Sequence, residues 1–255
     1  MIDEYSYERL RDIIKARAGI DISCYSKSFI ARRLEFRMNS CNIKDYNEYI
    51  RLLERSDEIK IFATNLSINV TEFFRDPDVF ARFRDLLKGY NNVRIWSVGC
   101  ASGEEPYTIA IIAKDNGIRC SILASDISKD AIAHVRNGLY SSRSVRNVPK
   151  DILEKYFTTT GNGYIVKKEI KDMVTSEVRD VTRSAPTGYF DFIFCRNILI
   201  YMDHASKNRI ISNICNVLKQ NGYLVLGKSE YINDYATLSL SCIDTRAKIY
   251  IKNLN

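Results

Sequence analysis

Hydrophobic positions in the first ninety residues repeat at the spacing of an α-helix. One such stripe covers residues 3–18, ends at Gly19 and consists of Tyr7, Leu10, Ile13 and Ile14. The same spacing predicts helices at about 26–39, 44–54 and 57–66, and another from Pro77 to about residue 88. No alternating strand pattern separates them. This part of the chain therefore predicts a small all-helical domain at 1–75, followed by a linker helix at 76–92.

The pattern changes after residue 92, where short apolar runs alternate with helical ones. The runs predict strands at 93–98, 120–125, 190–195 and 223–227, and helices at 104–114, 129–136 and 204–219. Segments 238–243 and 248–252 read as a final hairpin, and about 158–180 as an inserted β segment with its turn at 161–163. Alternating strands and helices predict an α/β domain with a mostly parallel sheet over residues 93–255.

Composition excludes several classes of protein. The chain has 255 residues, 45% of them hydrophobic and 27% charged, which is typical of a globular protein and not of a disordered one. No apolar run approaches the ~18 residues of a membrane span, and the acidic start lacks the layout of a signal peptide. We therefore expect a cytoplasmic protein that does not insert into a membrane.

The numbers of cysteines and histidines and the net charge exclude further kinds of site. Seven cysteines without a C-x-x-C spacing and only two histidines argue against a disulfide framework, a zinc cluster or a Ser-His-Asp triad, so we expect no metal. The net charge is +7, from 38 basic and 31 acidic residues. This mild excess permits a nucleic-acid or an acidic protein partner and selects neither.

The loop after the first predicted strand carries the clearest candidate chemistry. Gly99 and Gly103 allow the backbone to approach a ligand closely, and the next helix begins with Glu104 and Glu105. These two acids would repel a pyrophosphate and suit a cationic group such as an ammonium or a sulfonium. Alternatively, they are acids that favour the positive end of the helix dipole.

Asp126 ends the second predicted strand, 27 residues after Gly99. In a doubly wound sheet a carboxylate at this position holds ribose hydroxyls, although Asp126 could equally cap the next helix. A glycine loop followed by an acid indicates a nucleoside, and the acids within the loop indicate one without phosphates. S-adenosylmethionine satisfies both conditions.

Four segments, in order, resemble the chemotaxis receptor methyltransferases of the CheR type. They are NVTEFFRD at 69–76, GCASGEEPYT at 99–108, ASDI at 124–127 and CRNILIY at 195–201. The resemblance covers nearly the whole chain. It implies a class I S-adenosylmethionine-dependent methyltransferase domain, Rossmann-like and with a small inserted β segment, preceded by an all-helical receptor-recognition domain.

The resemblance also implies an activity and its site. The reaction is methyl transfer from S-adenosylmethionine to glutamate side chains of chemoreceptors, giving γ-glutamyl methyl esters and S-adenosylhomocysteine, as part of adaptation in chemotaxis. The implied cofactor contacts are Asn69, Thr71, Arg75, Glu105, Asp126, Asp180, Val181 and Asn197. We expect Gly99 and Arg196, which lie in the same segments, to bind the cofactor as well. The family usually has Asn-Leu at 180–181, so Asp180 departs from its pattern. Tyr201 is expected either to orient the reacting groups or simply to pack beside the site.

The second predicted helix is basic, and in the family this helix faces the acidic methylation region of the receptor. We therefore expect Arg32, Arg33 and Arg37 to bind the cytoplasmic methylation region of chemoreceptors. A solvated basic face and an RNA-binding surface are the alternatives. The loop after Tyr156 and Phe157 is shorter than in members that dock a receptor's C-terminal tether, which favours tether-independent recognition.

Two other functions use the same cofactor. Nucleic-acid methyltransferases that modify amino groups usually place an Asn/Asp-Pro-Pro-aromatic motif where this chain has RNIL at 196–199, which argues against that function and against a nucleic-acid partner. A non-catalytic module that senses S-adenosylmethionine stays open, because intact binding motifs do not establish turnover. We expect a monomer.

Overall fold

The structure is a computed structural model that describes residues 3–66, 71–233 and 235–254. The chain forms two compact units. One comprises Met1–Ile68 with Tyr201–Asn208, and the other Asn69–Ile200 with Arg209–Asn255. The division at residue 68 precedes the predicted domain boundary at 75, and the short segment Tyr201–Asn208 returns to the first unit.

Among the described residues the helical unit contains four α-helices, and three of them begin at a capping side chain. Their bounds are α1 Glu4–Ala18, α2 Lys27–Ser40, α3 Tyr46–Arg55 and α4 Glu58–Leu66. The side chains of Asp3, Ser26 and Asp45 accept backbone N–H groups at the starts of α1, α2 and α3. The buried stripes of these helices form one core, as the helical spacing predicts.

Residues 201–208 join this unit by backbone pairing. Ser26 N donates to Tyr201 O at 2.9 Å, Asp203 N donates to Cys24 O at 3.0 Å, and Tyr25 and Met202 form an isolated bridge. The Tyr201 ring lies 5.0 Å from that of Phe29. These contacts explain why the segment belongs with the helices although it follows a strand of the other unit.

The α/β unit is built on a seven-stranded sheet with the order β6-β2-β1-β7-β8-β10-β9. The strands are β1 Asn92–Val98, β2 Arg119–Asp126, β6 Val174–Val178, β7 Phe190–Cys195, β8 Leu218–Leu226, β9 Leu240–Asp244 and β10 Ile249–Lys252. The five strands from β6 to β8 pair in parallel, and the final hairpin is antiparallel. The predicted mostly parallel sheet is confirmed.

Helices cover this sheet and complete its core. They are α5 Pro77–Leu86, α6 Glu104–Asp115, α7 Lys129–Asn137, α8 Lys150–Tyr156, α9 Lys168–Lys171 and α10 His204–Val217. Nine of the twelve residues of α6 are buried, so it packs as a central helix. Phe192, Ile193 and Phe194 of β7 are fully buried in succession, as expected for a strand covered on both faces.

The prediction of one inserted β segment at about 158–180 was wrong in its bounds. A second, three-stranded antiparallel sheet has the order β3-β5-β4, from β3 Leu139–Tyr140, β4 Phe157–Thr160 and β5 Gly163–Val166. Residues 174–178, assigned to the insertion, instead form β6 and pair in parallel with β2. A short parallel edge strand with mixed exposure has no distinctive sequence pattern, so it was merged with the hairpin before it.

Candidate functional site

The carboxyl ends of β6, β2, β1 and β7 lie side by side at one edge of the sheet. The order of connections reverses between β1 and β7, and ligands of open α/β sheets bind in the crevice at such a switch point. This topology brings together the strand-end residues that the sequence singled out, namely Gly99, Asp126, Asp180, Val181, Arg196 and Asn197.

Gly99 lies where the loops after β1 and β7 approach each other. Its φ is +62°, and a Cβ there would lie 2.4 Å from Cδ1 of Ile198. A side chain at this position would both strain the backbone and fill the space between the two loops. The close neighbour of Gly99 in the structure is therefore Ile198, and its predicted close approach to a ligand stays a prediction.

Asp126 organises the loop beside it. Its carboxylate accepts the backbone N–H groups of Ala101, at 3.0 Å, and Ser128, at 2.8 Å. Burial raises the pKa of this carboxyl, while the N–H groups oppose that shift. Asp126 thus links the β1 loop to the start of α7. Each of its oxygens accepts one of these two hydrogen bonds, which leaves it further acceptor capacity for ribose hydroxyls.

Glu105 and Arg196 form the charged centre of the site. Ser97 Oγ donates to Glu105 Oε1 at 2.8 Å, and Arg196 Nη1 lies 3.1 Å from Glu105 Oε2. Arg196 Nη2 also binds the Asp76 carboxylate and the carbonyl oxygen of Arg75. The Arg196 side chain is only 2% exposed, so these partners hold it within the protein. Arg196 thereby joins the end of β7 to α6 and to the segment before α5.

That segment, residues 71–76, is anchored to the α/β unit. Phe73 is fully buried against the rings of Tyr140 and Phe157, and Phe74 N donates to Thr108 Oγ1 at 3.1 Å. The anchor places Arg75 next to Arg196, to which it presents its carbonyl oxygen. Thr71 is half-buried at the beginning of the segment, whereas Asn69 lies outside the described residues.

Left-handed backbone conformations are frequent among these loops. The non-glycine residues Phe74, Asp76, Ala101 and Asn197 have φ between 46° and 61°. Each such residue costs on the order of 1–3 kcal/mol, and strain of this kind persists where surrounding contacts hold it. Hydrogen bonds to Asp126, Thr108 and Arg196 supply such contacts for three of the four.

Glu104, the other acid of the loop, is turned inward. It is 3% exposed and accepts the hydroxyl of Ser102 at 2.7 Å. Burial raises the pKa of its carboxyl. Of the two adjacent acids, Glu105 therefore bears the paired charge of the site, and Glu104 belongs to the core below the loop.

The adenine pair predicted from the resemblance, Asp180 and Val181, follows β6. Asp180 Oδ1 accepts from the N–H and hydroxyl of Thr182, and Oδ2 lies 3.1 Å from Arg183 Nε. Asn213 Nδ2 donates to Val181 O at 2.9 Å. The pair stands at the expected edge, and its contact with a cofactor stays a prediction.

Sequence reasoning missed Glu230. It is 2% exposed, and its two oxygens accept backbone N–H groups from Gly227 and from the loop after β7, at Asn197, Leu199 and Ile200. No motif signal pointed to it, because its partners are main-chain groups that the sequence does not distinguish. The only available cue was an acid three residues after a glycine at a strand end.

The predicted receptor-binding residues divide into two groups. Arg32 is exposed, and Arg33 is half-buried with its guanidinium 5.3 Å from the centre of the Phe29 ring. Arg37 is different, because Nε and Nη2 each donate to Glu58 at 2.8 Å in a pair that is 15% and 8% exposed. The expected receptor contact of Arg37 is therefore corrected to an internal ion pair. The Tyr201 ring packs on that of Phe29 in the helical unit, and its expected place beside the reacting groups stays a prediction.

Comparison with known proteins decides the family. A model described as "CheR methyltransferase, SAM binding domain" matches residues 69–249, and one described as "CheR methyltransferase, all-alpha domain" matches residues 6–66. The chain belongs to the CheR methyltransferase family. The predicted fold, an all-helical domain followed by a class I S-adenosylmethionine-dependent methyltransferase domain, is thereby confirmed.

Curated relatives align with nearly the full length of this chain. A chemotaxis protein methyltransferase of Escherichia coli is 31% identical over 90% of this chain and 85% of its own length. One from Borreliella burgdorferi is 33% identical, covering 90% and 88%. A probable biofilm formation methyltransferase, WspC of Pseudomonas aeruginosa, is 27% identical over 88% of this chain and 56% of its own.

The residues of the CheR domain fit its cofactor, S-adenosylmethionine. The edge offers carboxylates at Glu105 and Asp126, which suit an ammonium and ribose hydroxyls and would repel phosphates. Arg196 Nε has no acceptor among the described residues, so one buried donor at the centre is still unused. No cluster of metal-ligating side chains is found in the described parts of the chain, nor any helix long and apolar enough to cross a membrane.

Proposed function

We propose that this CheR protein transfers the methyl group of S-adenosylmethionine to glutamate side chains in the cytoplasmic methylation region of chemoreceptors, giving γ-glutamyl methyl esters. The observation that carries the proposal is the charged centre formed by Glu105, Arg196 and Asp76 at the switch point of the sheet. The names of the Escherichia coli and Borreliella burgdorferi relatives support the link to chemotaxis.

The arrangement suits a reaction that needs orientation more than proton transfer. S-adenosylmethionine supplies a methyl group made electrophilic by its positively charged sulfur. A glutamate carboxylate is already ionised at pH 7 and needs no general base, which agrees with a site built without histidine. The protein's task is therefore to hold the two reactants in line and to exclude water.

Each side chain has a proposed role in that task. Glu105 holds the ammonium of the methionine moiety, and Asp126 accepts the ribose hydroxyls. Arg75 pairs with the methionine carboxylate, aided by Thr71 and Asn69. Arg196 keeps Glu105 and the segment of Arg75 in place through its own ion pairs. Asp180 and Val181 border the adenine.

The substrate is proposed to be recognised on the helical domain. Arg32 and Arg33 lie on α2 and present positive charge, and a helix that carries several target glutamates is acidic. Complementary charge mainly raises the rate of encounter and selects the partner. Arg37 takes no part in this step, because Glu58 occupies its guanidinium.

A transfer assay tests the function directly. The full chain is incubated with S-adenosylmethionine labelled in its methyl group and with isolated receptor, and the label is then tested for release by base. Base-labile label on receptor glutamates supports the proposal. Binding without transfer would identify a sensing adaptor, and label on RNA or DNA offered in parallel would identify a nucleic-acid methyltransferase.

A further inference from the structure

We propose that Glu230 is a positioning residue of the methyltransferase site, which holds the loop of residues 197–200 in its binding conformation. The inference rests on the proposed function, since it assumes that the loop beginning at Arg196 and Asn197 serves the cofactor. Glu230 itself contacts the backbone of that loop, so its effect reaches the site through other residues.

The carboxylate gathers N–H groups from two strand ends. Its Oε2 accepts from Asn197 N and Gly227 N, both at 2.7 Å. Its Oε1 accepts from Leu199 N at 2.7 Å and, more weakly, from Ile200 N at 3.4 Å. Converging N–H groups of this kind form a binding place for an anion, and here the anion is a side chain of the protein itself.

The shape of the loop of residues 197–200 includes backbone strain. Asn197 has a φ of 61°, a left-handed conformation that costs on the order of 1 kcal/mol or more in a non-glycine residue. Its N–H points to Glu230, and the bond therefore supports the strained residue directly. The same turn sets the direction of Arg196, whose guanidinium joins Glu105 and Asp76.

Gly227 shows how closely the two strand ends approach each other. A Cβ at this position would lie 2.6 Å from Glu230 Oε2, 2.8 Å from Asn197 Nδ2 and 2.9 Å from Asn197 N. The strand end carrying Glu230 and the loop carrying Asn197 thus meet without room for a methyl group. The glycine at 227 allows the close approach, and the acid at 230 binds the backbone of the loop.

The chemistry of the pocket requires a charged acceptor. Glu230 is 2% exposed, and no lysine or arginine among the described residues lies within ion-pair distance of it. A carboxylate can accept all four N–H groups, whereas a glutamine would turn its own NH₂ group toward some of them. Glu230→Gln therefore leaves buried donors unpaired and releases part of the loop.

The test measures cofactor affinity of the full chain in the absence of receptor. Calorimetric titration with S-adenosylhomocysteine is carried out on wild type, Glu230→Gln and Glu230→Asp, well below their unfolding temperatures. We expect Glu230→Gln to weaken affinity by about 10-fold or more, because an unpaired buried donor costs about 1–3 kcal/mol and the loop loses several such bonds. Glu230→Asp keeps the charge but shortens the reach, and we expect an intermediate loss.

Asp191→Asn provides the matched control. Asp191 lies on β7, at the opposite end from Arg196, is 13% exposed, and accepts Arg94 N and Lys219 Nζ, each at 2.8 Å. It is thus another largely buried acid that holds a backbone N–H. We expect Asp191→Asn to lower the unfolding temperature and to leave the affinity for S-adenosylhomocysteine unchanged.

Three outcomes separate the possibilities. Affinity lost in Glu230→Gln and partly kept in Glu230→Asp, with Asp191→Asn unaffected, supports the inference. Both Glu230 variants binding like wild type, with only their unfolding temperatures lowered, would overturn it and leave the proposed function intact. Wild type that fails to bind S-adenosylhomocysteine would contradict the proposed function itself.

Discussion

The two units of this protein treat a buried carboxylate in opposite ways. In the helical unit, Glu58 accepts two hydrogen bonds from Arg37 and one from Tyr49. Burial acts to raise the pKa of Glu58, but the hydrogen bonds from Arg37 and Tyr49 prevail and lower it. In the α/β unit, burial raises the pKa of Glu104 and of Glu230 above the ordinary value, and neither forms an ion pair among the described residues.

The difference shows what each carboxylate does. A charge neutralised by a guanidinium holds two helices, α2 and α4, in register and contributes to stability. A carboxylate that faces only hydroxyl or backbone donors has its charged form disfavoured by burial, and it holds a loop in one shape. The second arrangement is found in the unit that the SAM-binding family model matches, beside loops that contain left-handed residues.

The largest effect is expected from breaking the ion pair of the helical unit. Arg37→Ala leaves Glu58 charged, buried and without its main partner, which costs about 3–5 kcal/mol. Urea unfolding followed by circular dichroism would measure the loss. Arg32→Ala, on the exposed face of the same helix, serves as the control and should change stability by less than about 0.5 kcal/mol. Equal stabilities of the two variants would show that the pair contributes little.

In the α/β unit, the buried carboxylate of Asp126 is expected to affect cofactor binding. Asp126→Ala removes the acceptor for ribose hydroxyls and frees Ala101 N, so we expect S-adenosylmethionine to bind about 1–3 kcal/mol more weakly. Isothermal titration calorimetry gives this value. Asp130→Ala, an exposed acid four residues further on in α7, is the matched control and should bind as wild type does. Unchanged affinity in Asp126→Ala would leave Asp126 a purely structural link between loops.

The pH dependence of stability should differ in sign between the units. The native pKa of Glu104 is raised, so its neutral form is favoured, and the stability it contributes at low pH is lost as pH rises above 4.5 toward that native pKa. Glu104→Gln should therefore be more stable than wild type at pH 7, because it has no charge to bury. This advantage should disappear near pH 4.

For Glu58 we expect the opposite dependence of stability on pH, because its native pKa is lowered. Its contribution is present above 4.5 and is lost as pH falls through the native pKa, so Glu58→Gln should be less stable than wild type at pH 7 and approach it in acid. Unfolding curves at several pH values test both variants together. Two variants that shift in the same direction would remove the contrast between the units.

Sequence patterns predicted the features that depend on neighbouring residues or on a regular spacing of hydrophobic positions. The helical spacing placed α1 to α4 within two residues of their observed ends, and short apolar runs followed by glycine or acid identified the strands β1 and β2. Arg37 was misjudged because the spacing places it beside Arg33, whereas its partner Glu58 is 21 residues away in the chain. Glu230 was missed because it binds main-chain groups, and β6 because five residues of mixed exposure show no alternation.

The smallest effect concerns the remaining basic residues of α2. In the proposed function, Arg32 and Arg33 meet an acidic receptor helix, and an exposed ion pair of this kind contributes about 0.2–1 kcal/mol. Arg32→Glu with Arg33→Glu should therefore raise the KM for receptor several-fold and leave the affinity for S-adenosylmethionine unchanged. Added salt should narrow the difference from wild type, because exposed charges are screened over ~8–10 Å.

The control for this pair of substitutions is Arg51→Glu, an exposed arginine on α3. It changes the charge of the helical unit but not of α2, so its KM for receptor should stay close to that of wild type. Arg33→Gln, measured alone, shows the combined effect of losing the charge of Arg33 and the contact of its guanidinium with Phe29. If the double variant methylates receptor at the wild-type rate in low salt, α2 is only a solvated basic face. Recognition would then depend on another surface of the protein.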